Sequence, residues 1–403
     1  MNPISISTLS TPAEGGRAPL AIVTLLFFMW GLLTALNDVL IPHLKALYTL
    51  SYLQAMLVQF CFFGAYFLVS LPAGRLIQRL GYQRGAVAGL VVAAVGCLLF
   101  LPAASAGYAL FLFAFFVLAA GITVLQVAAN PYVAALGDPR TASSRLTLTQ
   151  AFNSLGTAVA PTLGVLILPA AAAGAGSGDV KGPYLALAVA LLVLAGLFAV
   201  ARLPRIADES MPTTESAVAV ARAHPHLFWG VVGIFLYVGA EVSIGSLLIN
   251  FMQEAAGLTA AQAAPYLSLY WGGAMVGRFV GVAVMRVMAP GRLLAVHAAL
   301  AVLLIGVGVT SHGPVAMWAL LAVGLCNSIM FPTIFSMAVH RLGAQTAQGS
   351  GLLCMAIVGG ALLPLVQGHL ADVIGLQASF GVPALCYAGI AAFGWRYRYL
   401  FGS

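Results

Sequence analysis

Two carboxylates in this chain stand where a carboxylate is expensive. Asp38 lies eighteen residues into an apolar run that begins at Leu20, in FFMWGLLTALNDVLIP, and Glu241 is embedded in FLYVGAEVSIGSLLINF. An acid at the centre of a membrane helix costs roughly 2.5–3.5 kcal/mol on insertion scales, and such residues face a bundle interior or a wet path for ions, protons or substrate. Dehydration favours the neutral form of a carboxyl, so an acid placed there can take up a proton on one side and release it on the other. Neighbouring oxygens could instead help it to ligate sodium, and the residues alone leave proton and sodium open.

The other polar side chains within apolar runs are mostly amides: Asn37, Gln59, Gln126, Asn130, Gln150 and Asn153 in the first half, and Asn250, Asn327 and Gln367 in the second. An amide both donates and accepts, which suits a ligand that presents several hydroxyls. Gln150 and Asn153 are three apart and share a helix face. Asn130 precedes Pro131, and its amide could equally cap carbonyls that the proline frees. Trp30, Tyr132, Phe152, Tyr237, Trp271 and Phe331 offer flat apolar faces to a sugar ring. No Arg or Lys is expected in mid-span, so a strongly anionic substrate would lack a counter-ion. Catalysis has no support, because HExxH, GxSxG, P-loop and metal-spaced histidine patterns are missing from the sequence. No metal or organic cofactor is expected beyond the coupling ion, a proton or Na+.

The elements that must position these groups follow from composition. Apolar residues make up 62% of the 403, and charged ones 7%, against roughly 45–50% and 25% in soluble domains. The apolar runs are continuous and of spanning length, which predicts helices rather than the alternating ten-residue segments of a barrel. The formal net charge of +7 is therefore read by membrane side, and no nucleic-acid partner is expected. The five cysteines lie in apolar segments with no CxxC spacing and read as small core residues. Residues 1–18 carry no apolar run and are expected to form a polar tail rather than a cleavable leader.

Apolar runs between turn and charge signals predict twelve spans, near 19–44, 52–79, 84–102, 107–136, 143–170, 183–202, 226–255, 260–288, 292–310, 314–340, 346–371 and 379–398. With the N-terminus in the cytoplasm, fifteen of the seventeen Lys and Arg residues fall on inner loops and nearby helix ends, leaving only Lys45 and Lys181 outside. The positive-inside rule therefore predicts that both termini are cytoplasmic. The polar stretch 203–225 divides the chain into a bundle at 19–202 and a second at 226–403. The halves echo each other: Gly156 and Pro161 recur as Gly359 and Pro364 at an offset of 203, and Gly121 before Asn130-Pro131 matches Gly324 before Phe331-Pro332. Repeated six-span halves are the plan of major facilitator transporters, with the substrate site between the halves near the bilayer midplane.

The loop Gly74, Arg75, Leu76, Gln78, Arg79, Gly81, Arg84 resembles the G-x-L-x-D-R-x-G-R motif of that superfamily. It departs from the motif at Tyr82, and at Gln78 the inner-side charge pair loses its acid. The segments FFMWGLLTALNDVLIPHL, QVAANPYVAALG, RLTLTQAFNSLGT, YVGAEVSIGSLLINF and FPTIFSMAVHRLG resemble the fucose, glucose/galactose and N-acetylglucosamine symporters of the superfamily. The resemblance implies an all-α membrane protein with the major facilitator fold and twelve helices in two pseudo-repeats, importing a neutral monosaccharide with a cation by alternating access. It implies that Asp38 is the span-one acid of proton coupling, and that Gln150 and Asn153 are the span-five polar pair. The fucose branch carries Glu in span four and Gln in span seven, where this chain has Gln126 and Glu241. That exchange points to the glucose/galactose branch.

The resulting expectation is a multi-pass protein of a bacterial inner membrane, acting as a monomer. Asp38 and Glu241 would couple, while Asn37, Gln59, Gln126, Asn130, Gln150, Asn153, Asn250 and Asn327 would hold sugar hydroxyls. A sodium-coupled, N-acetylglucosamine- or fucose-specific symporter is the near alternative, and a drug or metabolite exporter the alternative of another class.

Overall fold

The computed structural model describes residues 19–32, 35, 52–167, 181–201, 203–204 and 216–400. These residues fold into helices that follow the apolar runs, because lipid offers no water to the backbone and a helix satisfies its own N–H and C=O groups. In the first half the helices are α1 (Pro19–Leu32), α2 (Tyr52–Leu80), α3 (Tyr82–Ala106), α4 (Tyr108–Ala135), α5 (Ala142–Ile167) and α6 (Lys181–Val200). The second half has α7 (Pro225–Ala256), α8 (Ala260–Val284), α9 (Pro290–Thr310), α10 (Gly313–Asn327, then Met330–Ala338), α11 (Thr346–Met355, then Gly359–Ile374) and α12 (Gly381–Arg396). Within the expected connection between the halves, Ala217–Ala223 form a further short helix capped by the Ser216 hydroxyl.

Each half repeats one packing scheme: α3 lies against α4 and α6 as α9 lies against α10 and α12, and α2 meets α4 as α8 meets α10. The 203-residue echo is part of that scheme. Gly156 of α5 sits against the Phe28 carbonyl of α1, and Gly359 of α11 against the Phe235 carbonyl of α7, so close that a Cβ at either glycine would collide. The surface away from the core is apolar, with Phe60, Val200 and Leu385 largely exposed, as suits a lipid-facing wall. By contrast, α4 is enclosed continuously from Gly121 to Ala134. A helix that is apolar all round belongs in the interior.

Two interruptions depart from the continuous spans that hydropathy suggests. α10 breaks at Ser328 and Ile329, and α11 narrows to a 3₁₀ turn at Ala356–Val358. Pro332 follows the first break by one turn, and proline supplies no N–H to the carbonyl four residues earlier. The carbonyl of Ser328 is thereby freed.

Among the described residues the halves meet mainly where α2 packs on α11, α5 on α8, α4 on α11 and α5 on α10. The described hydrogen bonds across this seam gather towards the end that carries the Arg-rich loops. Ser143 bonds Ser336 at 2.6 Å, Ser144 donates to the Val282 carbonyl at 3.4 Å, and Gln348 donates to Gln78 at 3.3 Å. The amide at position 78 thus bridges the halves where the superfamily motif has its acid.

Candidate substrate and coupling site

Glu241 sits near the middle of α7, partly exposed, with Tyr237 one turn before it. The Tyr237 hydroxyl donates to Glu241 Oε1 at 2.7 Å and lies 3.3 Å from the carbonyl oxygen of Asn327. Tyr270 of α8 donates to the Glu241 carbonyl at 3.2 Å. Asn327 ties the group together: its Nδ2 donates to the Tyr270 hydroxyl at 2.8 Å, and its Oδ1 accepts from Tyr387 of α12 at 2.6 Å. Four helices are thus pinned around one carboxyl. Asn327 is fully buried, so in this arrangement it positions the phenols rather than offering itself to a sugar.

Arg278 qualifies the expectation that no Arg or Lys lies in mid-span. It belongs to α8, six residues before the helix ends at Val284, and its side chain runs to the seam instead of the loop. Its Nε donates to the Ser328 carbonyl at 3.1 Å, the oxygen that Pro332 leaves without a backbone partner. Its guanidinium also donates to the Ser154 hydroxyl of α5 in the other half. Ser154 in turn donates to the Gln150 carbonyl at 3.1 Å. The anchor of Arg278, the Ser328 carbonyl, follows directly on the Asn327 carbonyl that the Tyr237 hydroxyl approaches, and its contact with Ser154 sets it against α5.

In the first half, the Gln150 amide donates to Asn130 Oδ1 at 3.4 Å, and both residues are buried. Asn130 does not cap the carbonyl that Pro131 frees. That carbonyl, Val127, accepts instead from Ser350 of α11 at 2.9 Å, and Asn130 Nδ2 is buried with no partner among the described residues. An orphaned amide donor is costly, and a sugar hydroxyl is the kind of acceptor it lacks. Gln126 donates to the Tyr66 hydroxyl within the same half. Asn153 is half-buried and spends one donor on the Phe27 carbonyl of α1 at 2.9 Å, so it ties helices while its amide oxygen remains available.

Asn250 is exposed near the end of α7, away from these bonds. Asp38 and Asn37 lie outside the described residues, as does the side chain of Gln59. Of the aromatic faces, Tyr132 is buried and donates to the Pro204 carbonyl at 3.1 Å, Trp30 packs on Phe27, and Phe331 stacks on Phe335. Sequence reasoning passed over Tyr66, Tyr270, Tyr387 and Ser154. The available signal was a hydroxyl inside an apolar run, which is common in buried helices and gives no sign of its partner.

A model of the Major Facilitator Superfamily matches residues 23–357. The chain belongs to the major facilitator superfamily. As a member with several apolar helices, it is a multi-pass membrane protein, and its relatives are transporters rather than enzymes. It is 56% identical over 400 residues to the glucose/galactose transporter of Brucella abortus, a match spanning 98% of this chain and 97% of that one. To the L-fucose-proton symporter of Escherichia coli it is 33% identical over 407 residues, spanning 94% and 93% of the two chains. The crystal structure of the superfamily transporter FucP in the outward conformation superposes with a TM-score of 0.88 at 33% identity, over 95% of this chain and 99% of that one.

Proposed function

We propose that this superfamily member imports a neutral monosaccharide of the glucose/galactose type, coupled to protons, by alternating access. The observation that carries the reading is Glu241, an acid in mid-helix that is bonded to Tyr237 yet partly exposed, beside the seam where the halves part. The amides of Gln150, Asn130 and Asn153, on the helices facing it, supply donors and acceptors for hydroxyls. The likeness to sugar transporters supports the substrate class, and the likeness to a proton symporter supports the coupling ion.

In this reading Asp38 and Glu241 carry protons, and the Arg-rich end is cytoplasmic. The seam bonds then close the inner side, in agreement with the outward conformation of the similar crystal structure. Purified protein in liposomes, given radiolabelled glucose or galactose with pH and sodium gradients imposed separately, tests it. Accumulation driven by an inward proton gradient is expected. Accumulation driven only by sodium, or none with either sugar, would overturn the assignment.

A further inference from the structure

We propose that Arg278 is the switchable counter-charge of the transport cycle, held by Ser154 while the halves are closed at the Arg-rich end and released to Glu241 when they part. The inference rests on the coupling role given above to Glu241 and assigns that role its trigger.

The geometry begins with two consecutive carbonyls at the break in α10. The Asn327 oxygen lies 3.3 Å from the Tyr237 hydroxyl, which is bonded to Glu241. The next oxygen, of Ser328, holds Arg278 Nε at 3.1 Å. The phenol that holds the acid and the guanidinium therefore sit at consecutive carbonyls of one helix break, both in the second half. The remaining hydrogen bond of Arg278 crosses to Ser154 in the first half. This bond spans the seam, so it must break when α5 and α8 separate, whereas the bond to Ser328 lies within one half and can persist.

The consequence is a change of partner at a fixed place. With the seam closed, part of the guanidinium is committed to the Ser154 hydroxyl, whose own proton goes to the Gln150 carbonyl. With the seam open, the charge keeps its anchor and loses that acceptor, and Glu241 is the acid held by the phenol at the neighbouring carbonyl. A nearby cation favours the ionised carboxylate. Opening to the cytoplasm would thus favour proton release on the cytoplasmic side, the direction that import requires. Among the described residues, the polar side chains bonded around this pair are the phenols of Tyr237 and Tyr270, the Asn327 amide with its partner Tyr387, and the Ser154 hydroxyl. None of them is ionised near neutral pH.

The test compares proton-driven accumulation with sugar counterflow, which needs binding and translocation but no net proton movement. Arg278→Gln is expected to bring accumulation to the uncoupled level while counterflow stays within about threefold of wild type, and Arg278→Lys to keep both. In a Glu241→Gln background, Arg278→Gln is expected to add nothing, since the two act as one unit. Spin labels at Arg140 and Arg286, on loops of opposite halves, read the lock in a background lacking the native cysteines. Ser154→Ala should move their distance distribution towards longer separations.

Normal accumulation in Glu241→Gln would remove the underlying coupling role. Lost accumulation in Glu241→Gln with full accumulation in Arg278→Gln would overturn the counter-charge alone. Loss of counterflow in both Arg278 variants would make Arg278 a packing element and likewise overturn it. An unchanged distance distribution in Ser154→Ala would overturn the lock.

Discussion

Ser350 of α11 fills the hydrogen bond that Pro131 removes from α4. Its hydroxyl donates at 2.9 Å to the Val127 carbonyl, which stands four residues before the proline and has no helical N–H to receive. The second half repeats the device with Pro332, Ser328 and Arg278. One proline-freed carbonyl is answered by a neutral hydroxyl from the opposite half. The other is answered by a cation from its own half, which leaves that cation anchored when the halves move apart.

Ser350→Ala should therefore strand the Val127 oxygen at a cost of about 1–3 kcal/mol, the usual penalty for an unsatisfied buried polar group. Pro131→Ala restores the N–H, and in that background the serine change should cost little. Thermal unfolding of the four proteins in detergent gives the coupling directly. Additive losses would mean that the two residues do not share the carbonyl.

Glu241→Gln is expected to abolish accumulation of sugar against a gradient and to leave counterflow measurable, because a neutral amide can still accept from Tyr237 but cannot carry a proton. Tyr237→Phe keeps the acid and removes its 2.7 Å donor, so it should displace the pH profile of uptake without abolishing coupling. A Tyr237→Phe profile that overlays the wild type would remove the phenol from the coupling group.

Gln150→Ala removes the donor to Asn130 and, in the proposed site, a hydroxyl contact. A site built to hydrogen-bond a hydroxyl pays heavily when a partner is lost. We expect KM for the sugar to rise by about tenfold or more, a cost of about 1.4 kcal/mol, with the folded yield unchanged. Tryptophan quenching or counterflow kinetics over a range of sugar concentrations measures this.

Asn327→Leu has a different signature. It deletes the bonds to Tyr270 and Tyr387 at once and leaves two buried phenols short of partners. Tyr270 keeps its donation to the Glu241 carbonyl while Tyr387 loses its acceptor, so a stability loss of about 1–3 kcal/mol is expected. If Asn327 contacts sugar instead, affinity will fall with little change in the unfolding temperature.

His340 lies past the end of α10, where burial first, then Arg341 and His226, pushes its imidazole down to about 4. The folded protein thus favours the neutral ring. Its contribution to stability is complete above the ordinary histidine value of about 6.5 and is lost as pH falls towards 4, since the unfolded chain takes up the proton first. His340→Gln should flatten the decline of the unfolding temperature over that window and leave the pH profile of transport unchanged. A transport profile that moves with this substitution would bring His340 into the coupling path.

Much of this protein was legible in its residues. Apolar runs longer than the bilayer core dictate helices, because a backbone in lipid must satisfy itself, and the described residues of those runs are helical. Glu241 announced itself by the same physics, as a charge where oil was expected. The glycines at 156 and 359 marked equivalent helix crossings because only a missing side chain permits such approach. Partnership was not legible. Tyr270, Tyr387 and Ser154 are ordinary residues of apolar helices until α8, α12 and α5 bring them to Glu241, Asn327 and Arg278, and Arg278 looked like one more inner-side cation. The prolines revealed which carbonyls would be freed, but only the packing of the two halves decided that Ser350 answers one and Arg278 the other. A hydrogen bond is made by whatever group the fold brings within about 3 Å, and separation along the chain carries no record of that distance.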